Sequence, residues 1–182
     1  MIMYDVLVIG SGPAGYYCAL NAARQNYKVA IVEKNKLGGT GFRWGCLPVK
    51  YLLDEIKKIE DISNNVGIKI EKKVAYGDIF QKITKDMKGI EEKIEKALDD
   101  NHVDIFYGDG TFIDSHTYLV NDHSIEAKNI VIASGTSPAG IMDIKIDGDI
   151  VISHEQAIGF HKLPKSIIIV GVNVEGIEFA SL

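Results

Sequence analysis

Residues 6–15 read VLVIGSGPAG, and this stretch decides how the chain begins to fold. Val6 to Ile9 is an unbroken apolar run, the pattern of a strand covered on both faces. Gly10, Gly12 and Gly15 follow at once. Gly10 permits a tight turn, Gly12 lets the backbone approach a pyrophosphate, and Gly15 lets the next helix pack closely on the strand. Tyr16 to Ala23 reads as that helix, whose free N–H groups face a phosphate. Val29 to Val32 reads as a second buried strand, ending at Glu33. Glu33 stands 21 residues past Gly12, where a carboxylate can accept hydrogen bonds from a ribose diol. Three glycines alone also fit a loop of flexible turns; the strand before, the helix after and the acid at this distance make the pattern a dinucleotide fingerprint. Cys18 falls inside the helix on the side of Gly15 and Ala22, and reads as a small packed residue.

Composition bounds the rest. The chain has 182 residues, 46% hydrophobic and 25% charged, enough for a substantial core in one domain with a fragment of another. A net charge of -5, with no run of Lys and Arg interleaved with aromatics, argues against a nucleic-acid partner. Only Met1 to Met3 precede the first strand-like run, too few for a signal peptide, and no apolar stretch has membrane-spanning length. A cytoplasmic protein with no membrane partner is the expectation. The two cysteines, Cys18 and Cys46, lie 28 positions apart, so neither a structural disulfide nor a Cys-x-x-Cys metal site is expected. The five histidines are scattered, and no metal site is expected from them.

A second stretch, GGTGFRWGCLPVK at residues 38–50, holds one cysteine among glycine, proline and lysine. Following Glu33 so closely, it resembles the redox segment of the flavoprotein disulfide reductases, the group of dihydrolipoamide dehydrogenase, glutathione reductase and mercuric reductase. Their segment has the form G-G-T-C-x-x-x-G-C-x-P-x-K. This chain matches at Gly38, Gly39, Thr40, Gly45, Cys46, Pro48 and Lys50, and departs at Gly41, where the family carries its first redox cysteine. The resemblance implies that Cys46 is the flavin-side thiol and that its exchange partner is missing. Ordinary reduction of lipoamide or glutathione disulfide is therefore in doubt. Two readings of Cys46 stay open. A thiolate held by a helix starting near Pro48 can cycle through a sulfenic acid or a mixed disulfide, as in single-cysteine relatives acting on peroxide, oxygen or coenzyme A disulfide. Otherwise it is an inherited packing residue.

The likeness runs on through the chain. Tyr51, Leu52, Ile56, Ile59 and Ile62 recur at helical spacing, as do Ile79, Ile83, Met87, Ile90, Ile94 and Leu98, and both sets read as core stripes. Between them SNNVGIKIEKKVAYGD reads as a polar, irregular connection. VDIFYGDGTF and TYLVNDHSIEAKNIVIASG then read as short β segments, similar to the family's strand and meander. IVIASGTSP resembles the family's I-I-A-T-G-x-x-P strand exit, with Ser134 in place of Thr. Carried onto this chain, the family's FAD site implies contacts from Gly10, Gly12, Pro13, Ala14 and Gly15 at the fingerprint. It further implies Glu33, Lys34, Gly39, Thr40 and Lys50 in the next segment, and Gly110, Ser134 and Gly135 beyond.

Near the end, SIIIVGVNVEGIEFASL repeats the opening logic, with an apolar strand and then Gly171, Asn173 and Gly176. In the family this begins the NAD(P)H domain. Asn173 takes the middle glycine's place, where its side chain would crowd a pyrophosphate. Six residues follow Gly176, too few for a βαβ unit. Glu178 matches the family glutamate that pairs with the flavin-proximal lysine, here Lys50; a solvent-facing helix residue is the other reading.

The expected architecture is α/β: a Rossmann-like FAD-binding domain with a parallel sheet plus a β-meander over residues 1–145, followed by the truncated start of an NAD(P)-binding domain over 146–182. The expected function is that of a dihydrolipoamide dehydrogenase-like oxidoreductase using FAD, with NAD(P)H in the intact protein and a small-molecule electron acceptor. Cys46, Lys50 and Glu178 are the catalytic candidates. The fragment alone is expected to be inactive, and a homodimer is expected only of the intact protein. A degenerate, noncatalytic dinucleotide- or partner-binding module is the alternative, favoured by Gly41 and Asn173.

Overall fold

The computed structural model describes residues 3–67, 75–160 and 164–182, with backbone alone for 75–80. Two compact units divide the chain: Met1–Gly41 with Gly89–Thr136, and Phe42–Lys88 with Ser137–Leu182.

The first unit is built on one six-stranded sheet. Its strands are β1 (Met3–Ile9), β2 (Val29–Glu33), β3 (Asp104–Tyr107), β4 (Gly110–Phe112), β5 (Thr117–Val120) and β6 (His123–Ile132), in the order β3-β2-β1-β6-β5-β4. β1 lies between β2 and β6 and runs parallel to both, and β2 runs parallel to β3. The meander β4-β5-β6 is antiparallel and extends the sheet on its other side. Helix α1 (Pro13–Arg24) makes the β1 to β2 crossover. Residues 29–32 are all buried, as are Leu7, Val8 and Ile9, which is why these strands read as continuous apolar runs. Leu7, Ile9, Ala30 and Val32 pack with Tyr118, Val120, Ile125 and Ala127 in one core cluster. Each set alternates i, i+2, as the pleat requires. This parallel sheet with its meander is the α/β fold expected.

The second unit packs helix on helix. It holds α3 (Cys46–Val66), most of whose apolar stripe is covered, together with α5 (His154–Ala157) and α6 (Val174–Ser181). Val49, Leu52, Ile83 and Ile158 form its buried cluster, with Tyr51, Ile59, Met87 and Phe179 against it. Two short or shared helices span the unit boundary: α2 (Gly39–Arg43) and α4 (Ala75–Asp100). Further along α4, Ile94 and Leu98 are buried as their spacing predicts.

Three expectations need correction. Ile62 is 57% exposed, because the cluster that covers Leu52 and Ile59 ends a turn before it. The polar connection is shorter than read: α3 continues to Val66 and closes on Gly67, and α4 starts at Ala75. Residues 68–74 of that connection and the side chain of Ile79 lie outside the described residues. Finally, residues 166–170 form no strand, and Ile167, Ile168 and Val170 are exposed. A strand exists only where a neighbour takes its N–H and C=O groups, and every named strand among the described residues belongs to the first unit.

Candidate functional site

β1 delivers the chain to Gly10, whose φ of +98° is a left-handed value that an L side chain rarely adopts. Gly10 N donates to Val32 O (2.7 Å) and Ala133 N donates to Ile9 O (2.8 Å), so the C-terminal ends of β1, β2 and β6 meet at this turn. Ligands of open α/β sheets bind at such strand ends. A Cβ on Gly15 would run into the carbonyl of Gly10 and lie 3.2 Å from Val8 Cγ1, so glycine here is what lets α1 rest on β1.

Gly12 has no such packing reason. A Cβ built on it meets only Gly39 Cα, at 3.9 Å, so the protein leaves open room beside this residue. Gly12 is also the N-cap of α1 and makes no side-chain cap bond, while Pro13 at the next position brings no N–H. The exposed Pro13 and Ala14 thus open a helix whose N-cap residue supplies no side-chain acceptor. A helix N-terminus with open room beside it fits the anionic pyrophosphate of a dinucleotide.

Glu33 ends β2 at 8% exposure. Its Oε2 accepts from Ser11 N (3.0 Å) and from Ser11 Oγ (2.6 Å), and its Oε1 accepts from Asn35 N (2.9 Å). Ser11 Oγ in turn accepts from Gly38 N (3.2 Å). The fully buried Ser11 therefore ties the fingerprint turn, the acid and the start of the GGT segment together. The sequence reading passed over Ser11; its signal was a hydroxyl between two fingerprint glycines, in a turn that burial would force to pair.

The other predicted contacts fall around this turn to different degrees. Gly39 faces Gly12, since its Cβ would lie 2.7 Å from Gly12 Cα. Gly108 N donates to Glu33 O (3.0 Å), which brings the chain beside Glu33 two residues before Gly110. Gly110 has a packing reason of its own, because a Cβ there would strike the Tyr118 ring. Ser134 and Gly135, just past β6, are exposed, as is Lys34, and Thr40 is half-buried.

The second unit holds the catalytic candidates. Cys46 is exposed and is the first residue of α3, whose N-cap Gly45 offers no side-chain cap. One turn on, Lys50 Nζ donates to Glu178 Oε1 at 3.0 Å, joining α3 to α6. Glu178 is not solvent-facing, its side chain being 18% exposed against 58% for Lys50. The Lys50 ammonium is held above its ordinary range, chiefly by the hydrogen bond to Glu178 and by that carboxylate's charge, with Cys46 adding a smaller push.

Gly171 and Gly176 repeat the geometry of Gly10 and Gly15. Gly171 has a φ of +116°, and a Cβ on Gly176 would strike the Gly171 carbonyl. Asn173 makes the difference: it is the N-cap of α6 and its Oδ1 accepts from Gly176 N (2.9 Å). The amide that would greet a phosphate is taken by the protein's own side chain. The residues at this second turn do not fit a nicotinamide dinucleotide.

The sequence pattern of the pyridine nucleotide-disulphide oxidoreductases matches residues 4–182. The chain belongs to this family. Similar curated relatives include a dihydrolipoyl dehydrogenase of Acholeplasma laidlawii, 31% identical over 98% of this chain and 56% of the relative. Another, from Chlorobaculum parvum, is 34% identical over 97% of this chain and 39% of its own length. A soluble pyridine nucleotide transhydrogenase of Mycobacterium bovis is 32% identical over 98% and 41%. Among solved structures, the HOCl-induced flavoprotein disulfide reductase RclA of Escherichia coli, as its Cu(II) complex, superposes with a TM-score of 0.79 at 23% identity. That match covers 99% of this chain and 40% of RclA, and shows the shared fold. The chain thus spans roughly two-fifths to just over half the length of these relatives. No helix among the described residues is long and apolar enough to cross a membrane.

Proposed function

We propose that the first unit binds FAD and that the chain serves a flavoprotein oxidoreductase whose acceptor is not reduced through an internal dithiol. The open, uncapped N-terminus of α1 beside Gly12, with the buried Glu33 tied to the same turn, carries this reading. When bound, FAD would supply the two-electron redox chemistry. The protein's part is positional. The first amides of α1 hold the pyrophosphate, Gly12 keeps room for it, and Glu33 accepts from the ribose. Lys50 and Glu178 hold each other, keeping a fixed cation one turn from Cys46. With glycine at position 41, Cys46 has no thiol at the family's exchange position. Its thiolate, attacking one oxygen of hydrogen peroxide, would form an S–O bond as the O–O bond breaks, giving a sulfenic acid and hydroxide that takes up a proton to leave as water, and no disulfide would close within the motif.

A second reading, a noncatalytic dinucleotide module, rests on Gly41 and on the self-capped turn at Asn173. The purified protein separates the two. Flavin absorption bands in the visible spectrum support the oxidoreductase; a colourless protein supports the module. Calorimetric titration with FAD tests the site itself. Glu33→Ala should weaken binding by about 1–3 kcal/mol, roughly five- to 150-fold. Unchanged affinity in that variant refutes the proposed site.

A further inference from the structure

We infer that this protein reads the adenosine ribose through a single hydroxyl, and that Ser11 is the residue that sets this specificity. The inference rests on the dinucleotide reading above and deepens it. A carboxylate offers about four lone-pair positions, two on each oxygen. Among the described residues, Oε2 of Glu33 is filled twice, by Ser11 N at 3.0 Å and by Ser11 Oγ at 2.6 Å. Oε1 is filled once, by Asn35 N at 2.9 Å. One acceptor position remains, on Oε1, and a ribose diol has two hydroxyls to place.

Ser11 is not free to step aside. It is fully buried, its backbone N–H is itself one of the donors to Glu33, and its Oγ also accepts from Gly38 N at 3.2 Å. Turning the side chain away would leave the buried Gly38 amide and the hydroxyl itself short of partners, a penalty a second ribose bond must exceed. Serine at the middle of the first glycine pair thus acts as a positioning and specificity residue. It orients Glu33 through one oxygen and leaves the other to the ligand.

The test is calorimetric binding of three probes to the full 182-residue chain: ADP, 2′-deoxy-ADP and 3′-deoxy-ADP. One deoxy analogue should bind about tenfold or more weaker than ADP and the other within about threefold of it. In Ser11→Ala, Oε2 regains an acceptor position, so the tolerated analogue should become discriminated as well, by about tenfold against ADP. A purely structural role for Ser11 would instead weaken all three probes by the same factor, and that result overturns the inference. So do equal losses for both analogues in the unmodified chain, which need no variant to fold, and so does no loss for either. If ADP does not bind at all, the dinucleotide reading itself fails, and the inference with it.

Discussion

Adding a single methyl group at position 41 tests whether the missing redox cysteine was merely lost or its place has closed. A Cβ on Gly41 would lie 2.6 Å from Cγ of Pro13 and 3.1 Å from its Cδ, inside the 3.4–4 Å of ordinary contact. The obstacle is a proline ring at the first position of α1, with no rotamer to yield, so the backbone of α1 or α2 must move. Overpacking of this kind costs about 1–3 kcal/mol. Against it, alanine in the short helix α2 gains up to about 1 kcal/mol over glycine. The clash should win, leaving Gly41→Ala less stable by about 0.5–2.5 kcal/mol. With a urea slope of about 2 kcal/mol per molar, the unfolding midpoint falls by about 0.2–1.2 M. Urea titration followed by far-ultraviolet circular dichroism reads this directly, and the fluorescence of Trp44, the only tryptophan, gives a second probe. Pro13→Ala removes the obstructing atoms, so Gly41→Ala should cost less in that background, by a coupling of about 0.5 kcal/mol or more. Gly41→Cys should show the same loss, since it carries the same Cβ. A Gly41→Ala protein as stable as the unmodified chain, or two changes that simply add, would refute the argument.

Four further outcomes are expected. Asn173→Ala removes the α6 cap, should cost about 1 kcal/mol, and should speed hydrogen exchange at the Gly176 amide; unchanged exchange there would show that the cap is not formed. Tyr4 donates to Asp104 Oδ2 at 2.8 Å, and burial, followed by that partner, pushes its hydroxyl up to about 12. The folded state then holds the proton more tightly than the unfolded chain, so this contribution is whole below pH 10 and is lost as pH rises towards 12. The loss is about 2–3 kcal/mol, and Tyr4→Phe should flatten that part of the stability profile. Glu178→Gln should let the Lys50 ammonium titrate closer to its ordinary range, read by NMR of the lysine side chain, and no change would mean the pair does not hold in solution. Finally, the chain should turn over neither lipoamide nor glutathione disulfide with NADH or NADPH, and measurable turnover would overturn the role given to Gly41.

The sequence by itself determined the first unit. Buried parallel strands must be apolar without interruption, turns with left-handed φ favour glycine, and close helix-on-strand packing excludes a Cβ. Residues 6–15 and 29–33 therefore announced β1, α1 and β2 one residue at a time, while the later β segments were placed in a meander through the family resemblance. The pairing of Lys50 with Glu178, 128 positions apart, was legible only through the family resemblance, because spacing says nothing about which helices will touch. What tertiary structure alone decided were the matters that depend on neighbours. Residues 166–170 have a strand's composition but form none, since a strand is made by its partner. Gly12 and Gly15 look alike in the sequence, yet one faces open room and the other a carbonyl. Ser11 looked like a filler between glycines until burial forced its hydroxyl to choose acceptors, and it chose Glu33. Local rules act within a turn or a pleat and are written in the chain; hydrogen-bond saturation and steric room are sums over everything nearby, and exist only once the chain has folded.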